Sequence, residues 1–97
     1  MTAGRDPVAV AALQYCAAGT AEETLRTLMP LIDRAADDGA KLVCLPEAAA
    51  FLAASRAALA DEAEPAGESK VLDRLCNAAV RRGIELSIGS MFFLGPD

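Results

Sequence analysis

Residues 8–14, Val-Ala-Val-Ala-Ala-Leu-Gln, form a short and nearly unbroken apolar run after Pro7. A run of this length suits a strand buried on both faces. From position 25 the spacing changes. Leu25, Leu28, Met29, Ile32, Ala35 and Ala36 recur at helical intervals, while Arg26, Asp33, Arg34 and Asp37 fall on the other side. The pattern predicts an amphipathic helix over 21–38. Thr20 and Glu23 have the spacing of a capping box at its start, and Gly39 stands where a C′ residue ends a helix. Pro30 breaks the pattern. Its ring removes one backbone hydrogen bond at a cost of about 3 kcal/mol, which predicts a kink or a late start.

A second apolar run, Leu42-Val43-Cys44-Leu45, predicts a second buried strand. Pro46 holds Leu45 extended and cannot donate to a ladder, so the strand ends there. Glu47 then stands at its carboxyl end. Residues 48–60 read as a loop and a short helix near 55–60. Residues 61–68 are acidic and contain Pro65 and Gly67, which predicts a solvated surface turn. Ser69 is a candidate N-cap for a helix over 69–82, with Leu72, Leu75, Cys76 and Ala79 on one face and Gly83 at its end. Residues 84–90 alternate as a strand, and Met91 to Leu94 continue the apolar character.

The order strand, helix, strand, helix, strand predicts an α/β fold with parallel strands and right-handed crossovers. Two crossovers of equal hand put both helices on one face. In such sheets chemistry gathers at the carboxyl ends of the strands. Those ends carry Gln14, Glu47 and Ser90.

Composition narrows the chemistry. The chain has 97 residues and a net charge of -5, with Arg81-Arg82 as its one basic cluster. That balance argues against nucleic acid or an anionic membrane as partner. Histidine is absent, which removes Ser-His-Asp and Cys-His catalysis and every His-based metal motif from this chain. No G-x-G-x-x-G or P-loop follows the first strand. No metal or cofactor is expected. The three cysteines, Cys16, Cys44 and Cys76, are odd in number and widely spaced. They form neither a disulfide framework nor a zinc site and fit a reducing cytoplasm. Residues 1–7 read as a leader without signal-peptide character, and no apolar run approaches the ~18–20 residues that span a bilayer.

Glu47 is the candidate for chemistry. Partial burial at a strand end would raise its pKa towards the range of a general base. The competing reading is a solvated loop carboxylate. Cys44 and Cys76 read as core residues. Cys16 lies near the strand-end region, but no Lys, Arg or His flanks it to activate a thiolate. Met91, Phe92 and Phe93 read as core.

The VAVAALQ strand, the helix end Ala-Ala-Asp-Asp-Gly-Ala and the stretch Gly-Ala-x-Leu-Val-x-Leu-Pro-Glu together resemble the start of the nitrilase superfamily of carbon–nitrogen hydrolases. The spacing to Arg-Arg-Gly-Ile-Glu-Leu-Ser-Ile-Gly-Ser agrees, and the likeness runs from about Val8 to Leu94. Phe51 to Arg56 look most like the amidase branch, which includes enzymes acting on deaminated glutathione and related ω-amides. The resemblance implies the β-α-β-α-β part of an α-β-β-α sandwich, with residues 8–97 as about the first third of such a domain. It also implies a Glu-Lys-Cys triad acting on a small amide or nitrile, with Glu47 as general base and no cofactor. The family usually dimerises through helices, so a homo-oligomer is expected. Lys41 and Lys70 match neither the family's lysine nor its position. None of the three cysteines matches the nucleophile. Thr24 stands where an asparagine is often found. The 97 residues alone are therefore expected to be inactive, and a sheet face left bare predicts oligomeric, aggregated or partly folded material. Two alternatives stand beside this reading: a non-catalytic assembly module needing a partner chain, and a small doubly wound nucleotide-binding domain.

Overall fold

A computed structural model describes residues 6–95 of the chain. The elements in chain order are β1 (Val10–Ala12), α1 (Ala21–Asp37), β2 (Leu42–Cys44), α2 (Arg56–Glu62), β3 (Glu64–Pro65), a 3-10 turn at Ala66–Glu68, α3 (Lys70–Arg82), β4 (Glu85–Ser87) and β5 (Phe93–Leu94). Apart from Asp6 and Pro7, the expected leader lies outside the described residues.

The strands β1, β2 and β4 form a parallel sheet in that order. Register sets Ala11, Val43 and Leu86 side by side, and these face a core built with α1 and α3. Adjacent residues point the other way by the pleat. Val10, Ala12, Leu42, Cys44, Glu85 and Ser87 accordingly share the second face and are exposed or half-buried. The expectation of strands buried on both faces is corrected here. The two long helices pack on each other and on one face, so no element among the described residues covers the opposite face. Cys44 falls on that open face and is half-buried rather than core. Formal strands are three residues each, shorter than predicted. Single hydrogen bonds prolong the ladder, from Leu13 N–H to Cys44 C=O and from Leu45 N–H to Ser87 C=O.

Helix α1 starts at Ala21, not late, and continues unbroken through the exposed Pro30. Leu25 and Leu28 are buried before the proline, Ile32 and Ala35 after it. Burial on both sides outweighs one lost backbone bond. Thr20 Oγ1 accepts from Glu23 N–H at 3.3 Å, as the capping spacing predicts. Gly39 takes up a φ of 96°, the left-handed conformation open to glycine. Ala21 N–H donates to Glu62 Oε1 at 2.6 Å, a cap supplied from far along the chain. Thr24, the departure from the family's asparagine, is buried. Its hydroxyl donates to Thr20 C=O and accepts from Ala18 N–H.

Helix α3 follows its predicted bounds, with Ser69 as N-cap and Gly83 left-handed at its end. The apolar stripe centres on Leu75 and Ala78, both fully buried. Cys76 lies about 100° round the helix from Leu75 and is exposed, which corrects its reading as core. Arg82 is spent on structure. It donates to Asp33 C=O at 3.3 Å and to the Asp37 carboxylate, joining the ends of α3 and α1.

The acidic stretch 61–68 is not simply a solvated turn. Residues Glu64–Pro65 pair in parallel with Phe93–Leu94. The Glu64 carboxylate caps α3, accepting from Ser69 Oγ at 2.9 Å, Lys70 N–H at 3.0 Å and Val71 N–H at 3.3 Å. Burial alone would raise this carboxyl. The hydrogen bonds from Lys70, Ser69 and Val71, with the Lys70 charge, outweigh it and hold the group below its ordinary value. A carboxylate with a depressed folded-state pKa stabilises the fold above its unfolded pKa, and that stability is lost as pH falls through the folded value. Thermal melts of wild type and Glu64→Gln should therefore differ most at neutral pH. The gap should close below about pH 4.5, the ordinary value for the group. A constant gap down to the acid limit would show that Glu64 does not act through its charge.

Candidate active site

The sheet delivers three chain segments to one edge, beyond the carboxyl ends of β1, β2 and β4. The segment after β2 is Pro46-Glu47-Ala48-Ala49, and the other two grip it. From the β4 side, Ser90 Oγ accepts from Ala48 N–H at 2.9 Å and Ser90 C=O accepts from Ala49 N–H at 2.9 Å. From the β1 side, Tyr15 Oη donates to Ala49 C=O at 2.7 Å. Gly89 N–H donates to Leu45 C=O at 3.1 Å. A Cβ built on Gly89 would lie 2.6 Å from both the carbonyl carbon and the oxygen of Pro46. Only a residue without a side chain lets the two segments come this close.

Glu47 sits in the middle of this grip. Before it, the Pro46 ring fixes the backbone. After it, Ala48 adopts a φ of 49°. That is the left-handed region, which is unfavourable for alanine by about 1–2 kcal/mol. The side chain of Glu47 is itself exposed rather than partly buried, so the held backbone presents a solvated carboxylate at the sheet edge. Tyr15 is half-buried, and burial pushes its phenol up to about 12. It is therefore protonated at neutral pH and acts as a hydrogen-bond donor. It cannot serve as a base there.

Of the three strand-end residues singled out in the sequence, the fold couples two: Ser90 holds the segment that carries Glu47. Gln14 is exposed beside Tyr15, and the neighbour does the holding. Tyr15 and Gly89 were not legible as site residues, though signals exist. Tyr15 is the one tyrosine of the chain, and a partly buried phenol usually finds an acceptor. Gly89 interrupts an alternating strand pattern, which marks a close backbone approach.

The remaining candidates lie elsewhere. Lys41 precedes β2, at the amino end of the sheet, and Lys70 opens α3. Cys16 is exposed and, like Cys44 and Cys76, is a free thiol. Phe92 and Phe93 are exposed rather than core, at 40% and 37%. Phe92 stacks at a tilt on the buried Phe51. Apolar hollows of about 230 Å³ lie on either side of Phe93. One is lined by Leu72, Ile88, Ser90 and Met91, the other by Arg56, Leu59, Ala63 and Phe92. The first reaches the site through Ser90. Among the described residues no group of His, Cys, Asp and Glu could hold a metal ion. No helix among them is long and apolar enough to cross a membrane.

No curated protein matches the chain significantly. Among solved structures, the fold is similar to the C. elegans NitFhit protein, with a TM-score of 0.81 and 23% sequence identity. The match covers 90% of this chain and 21% of that one, so the chain spans about a fifth of its length. A parallel α/β sheet of this topology is thus a part of the nitrilase fold. The sequence profile described as carbon–nitrogen hydrolase matches residues 8–94. The chain belongs to the carbon–nitrogen hydrolase family, within the nitrilase superfamily.

Proposed function

We propose that this chain supplies the general base of an amidase, with Glu47 in that role. The observation that carries the reading is the fixed presentation of Glu47. A free carboxylate stands at the carboxyl edge of a parallel sheet, on backbone gripped from both neighbouring strands. The lysine and cysteine of a Glu-Lys-Cys triad would come from sequence outside these 97 residues or from a partner chain.

In that reaction the Glu47 carboxylate takes the thiol proton as the cysteine sulfur attacks the amide carbon. The lysine ammonium stabilises the charge on the tetrahedral oxygen. Glu47 returns the proton to the leaving nitrogen, and ammonia departs with cleavage of the C–N bond. A water then gives a proton to Glu47 and attacks the thioester. The acid is released and the thiol is restored. One carboxylate thus serves both halves, a division of labour that needs no histidine.

Phe51 to Arg56, with the residues Ala-Ser-Arg at their end, favour the amidase branch and a small ω-amide as substrate. The three free thiols favour a reducing, cytoplasmic setting. The test is ammonia release by the enzyme that carries this segment, with a small ω-amide and the matching nitrile as substrates. Release from the amide and little from the nitrile is expected. The reverse preference would overturn the amidase assignment, and release from neither would overturn the hydrolytic reading.

A further inference from the structure

Glu47 is held through its neighbours, and no hydrogen bond of the grip reaches its carboxylate. We propose that Ser90 and Tyr15 are positioning residues for Glu47, fixing the backbone from which its side chain extends by clamping Ala48 and Ala49. The proposal rests on the reading of Glu47 as general base.

The clamp has the economy expected of such a device. Ser90 uses both of its oxygens on the two residues after Glu47, the hydroxyl on Ala48 N–H and the carbonyl on Ala49 N–H, each at 2.9 Å. Tyr15 takes the remaining carbonyl of Ala49 from the opposite strand end at 2.7 Å. With its phenol pushed up to about 12, Tyr15 keeps its donor proton throughout the neutral range. Ala48 is forced into the left-handed region, which an alanine enters only when its surroundings hold it there. The hydroxyl of Ser90 binds the N–H of that same strained residue. A strained backbone, a cross-sheet hydroxyl and a phenol therefore meet at the two residues after Glu47, and none of these bonds engages its exposed carboxylate. General-base chemistry is served by a held backbone, because the base must start from a defined position near the proton it removes and must not be tied up elsewhere.

The experiment compares Ser90→Ala, Ser90→Thr, Tyr15→Phe and Glu47→Gln in the enzyme that carries this segment. It reads kcat and KM for a small amide, the melting temperature, and the hydrogen exchange of the Ala48 amide. Ser90→Ala is expected to lower kcat by roughly 10- to 100-fold, the scale of a misplaced reacting group. KM and the melting temperature should change little, and Ala48 exchange should accelerate. Ser90→Thr keeps the hydroxyl and should recover most of kcat. Tyr15→Phe should lower kcat in the same direction. Wild-type kcat in Ser90→Ala, beside an inactive Glu47→Gln, overturns the positioning role and leaves the base assignment standing. Wild-type kcat in Glu47→Gln overturns both. A fall in kcat that tracks a fall in melting temperature, without recovery by threonine, makes Ser90 a structural residue and overturns the proposal.

Discussion

Truncating Leu75 to alanine is expected to cost about 2–5 kcal/mol of folding free energy. Leu75 is fully buried on the face of α3 that meets α1 and the sheet. Its neighbours in the core include Leu28, Ile32 and Val43, each with no exposed surface. These come from two other elements whose spacing is fixed by the parallel register and by the Arg82 tie between helix ends. The surroundings cannot collapse freely onto a lost isobutyl group, so a cavity remains and the loss exceeds simple transfer. Chemical denaturation is the measurement, with Val80→Ala as the control. Val80 sits on the same helix but is 82% exposed, and its truncation should change stability by less than about 0.5 kcal/mol. Equal effects at the two positions would contradict the placement of the core.

Legibility in the sequence followed the range of the interactions. The bounds of α1 and α3 were readable because their signals are local: the apolar stripe, Thr20 and Ser69 at the starts, Gly39 and Gly83 at the ends. The parallel α/β order was readable for the same reason, and so was Glu47 at the end of β2. What escaped is long-range. The cap on Ala21 comes from Glu62, and the pairing of Glu64–Pro65 with Phe93–Leu94 joins two segments that look like loop and apolar tail. Cys76 escaped for a finer reason. One residue's rotation from Leu75 carries a helix position out of the core, and an apolar side chain does not report which side of that boundary it occupies. In the site, the chain shows which residue could act but hides what holds it. Tyr15 and Ser90 reach Ala49 and Ala48 across 34 and 42 positions, and spacing carries no sign of either bond.

The proposed reaction class rests on the family, and the proposed role of Glu47 rests on the grip on residues 46–49. The link between them is the claim that the exposed carboxylate of Glu47 moves protons. Glu47→Gln keeps the shape of the side chain and removes its basicity. Because Glu47 is exposed and the clamp bonds belong to its neighbours, the fold should not register the change. General-base contributions are typically about 10²–10⁴-fold, and a base used in both acylation and hydrolysis should lie towards the upper end. The most direct measurement is kcat for ammonia release from a small amide by Glu47→Gln, with the melting temperature recorded on the same preparation. A fall of at least about 100-fold in kcat at an unchanged melting temperature is the predicted result. Near-normal turnover, or a loss of activity that merely follows unfolding, would contradict the role given to Glu47.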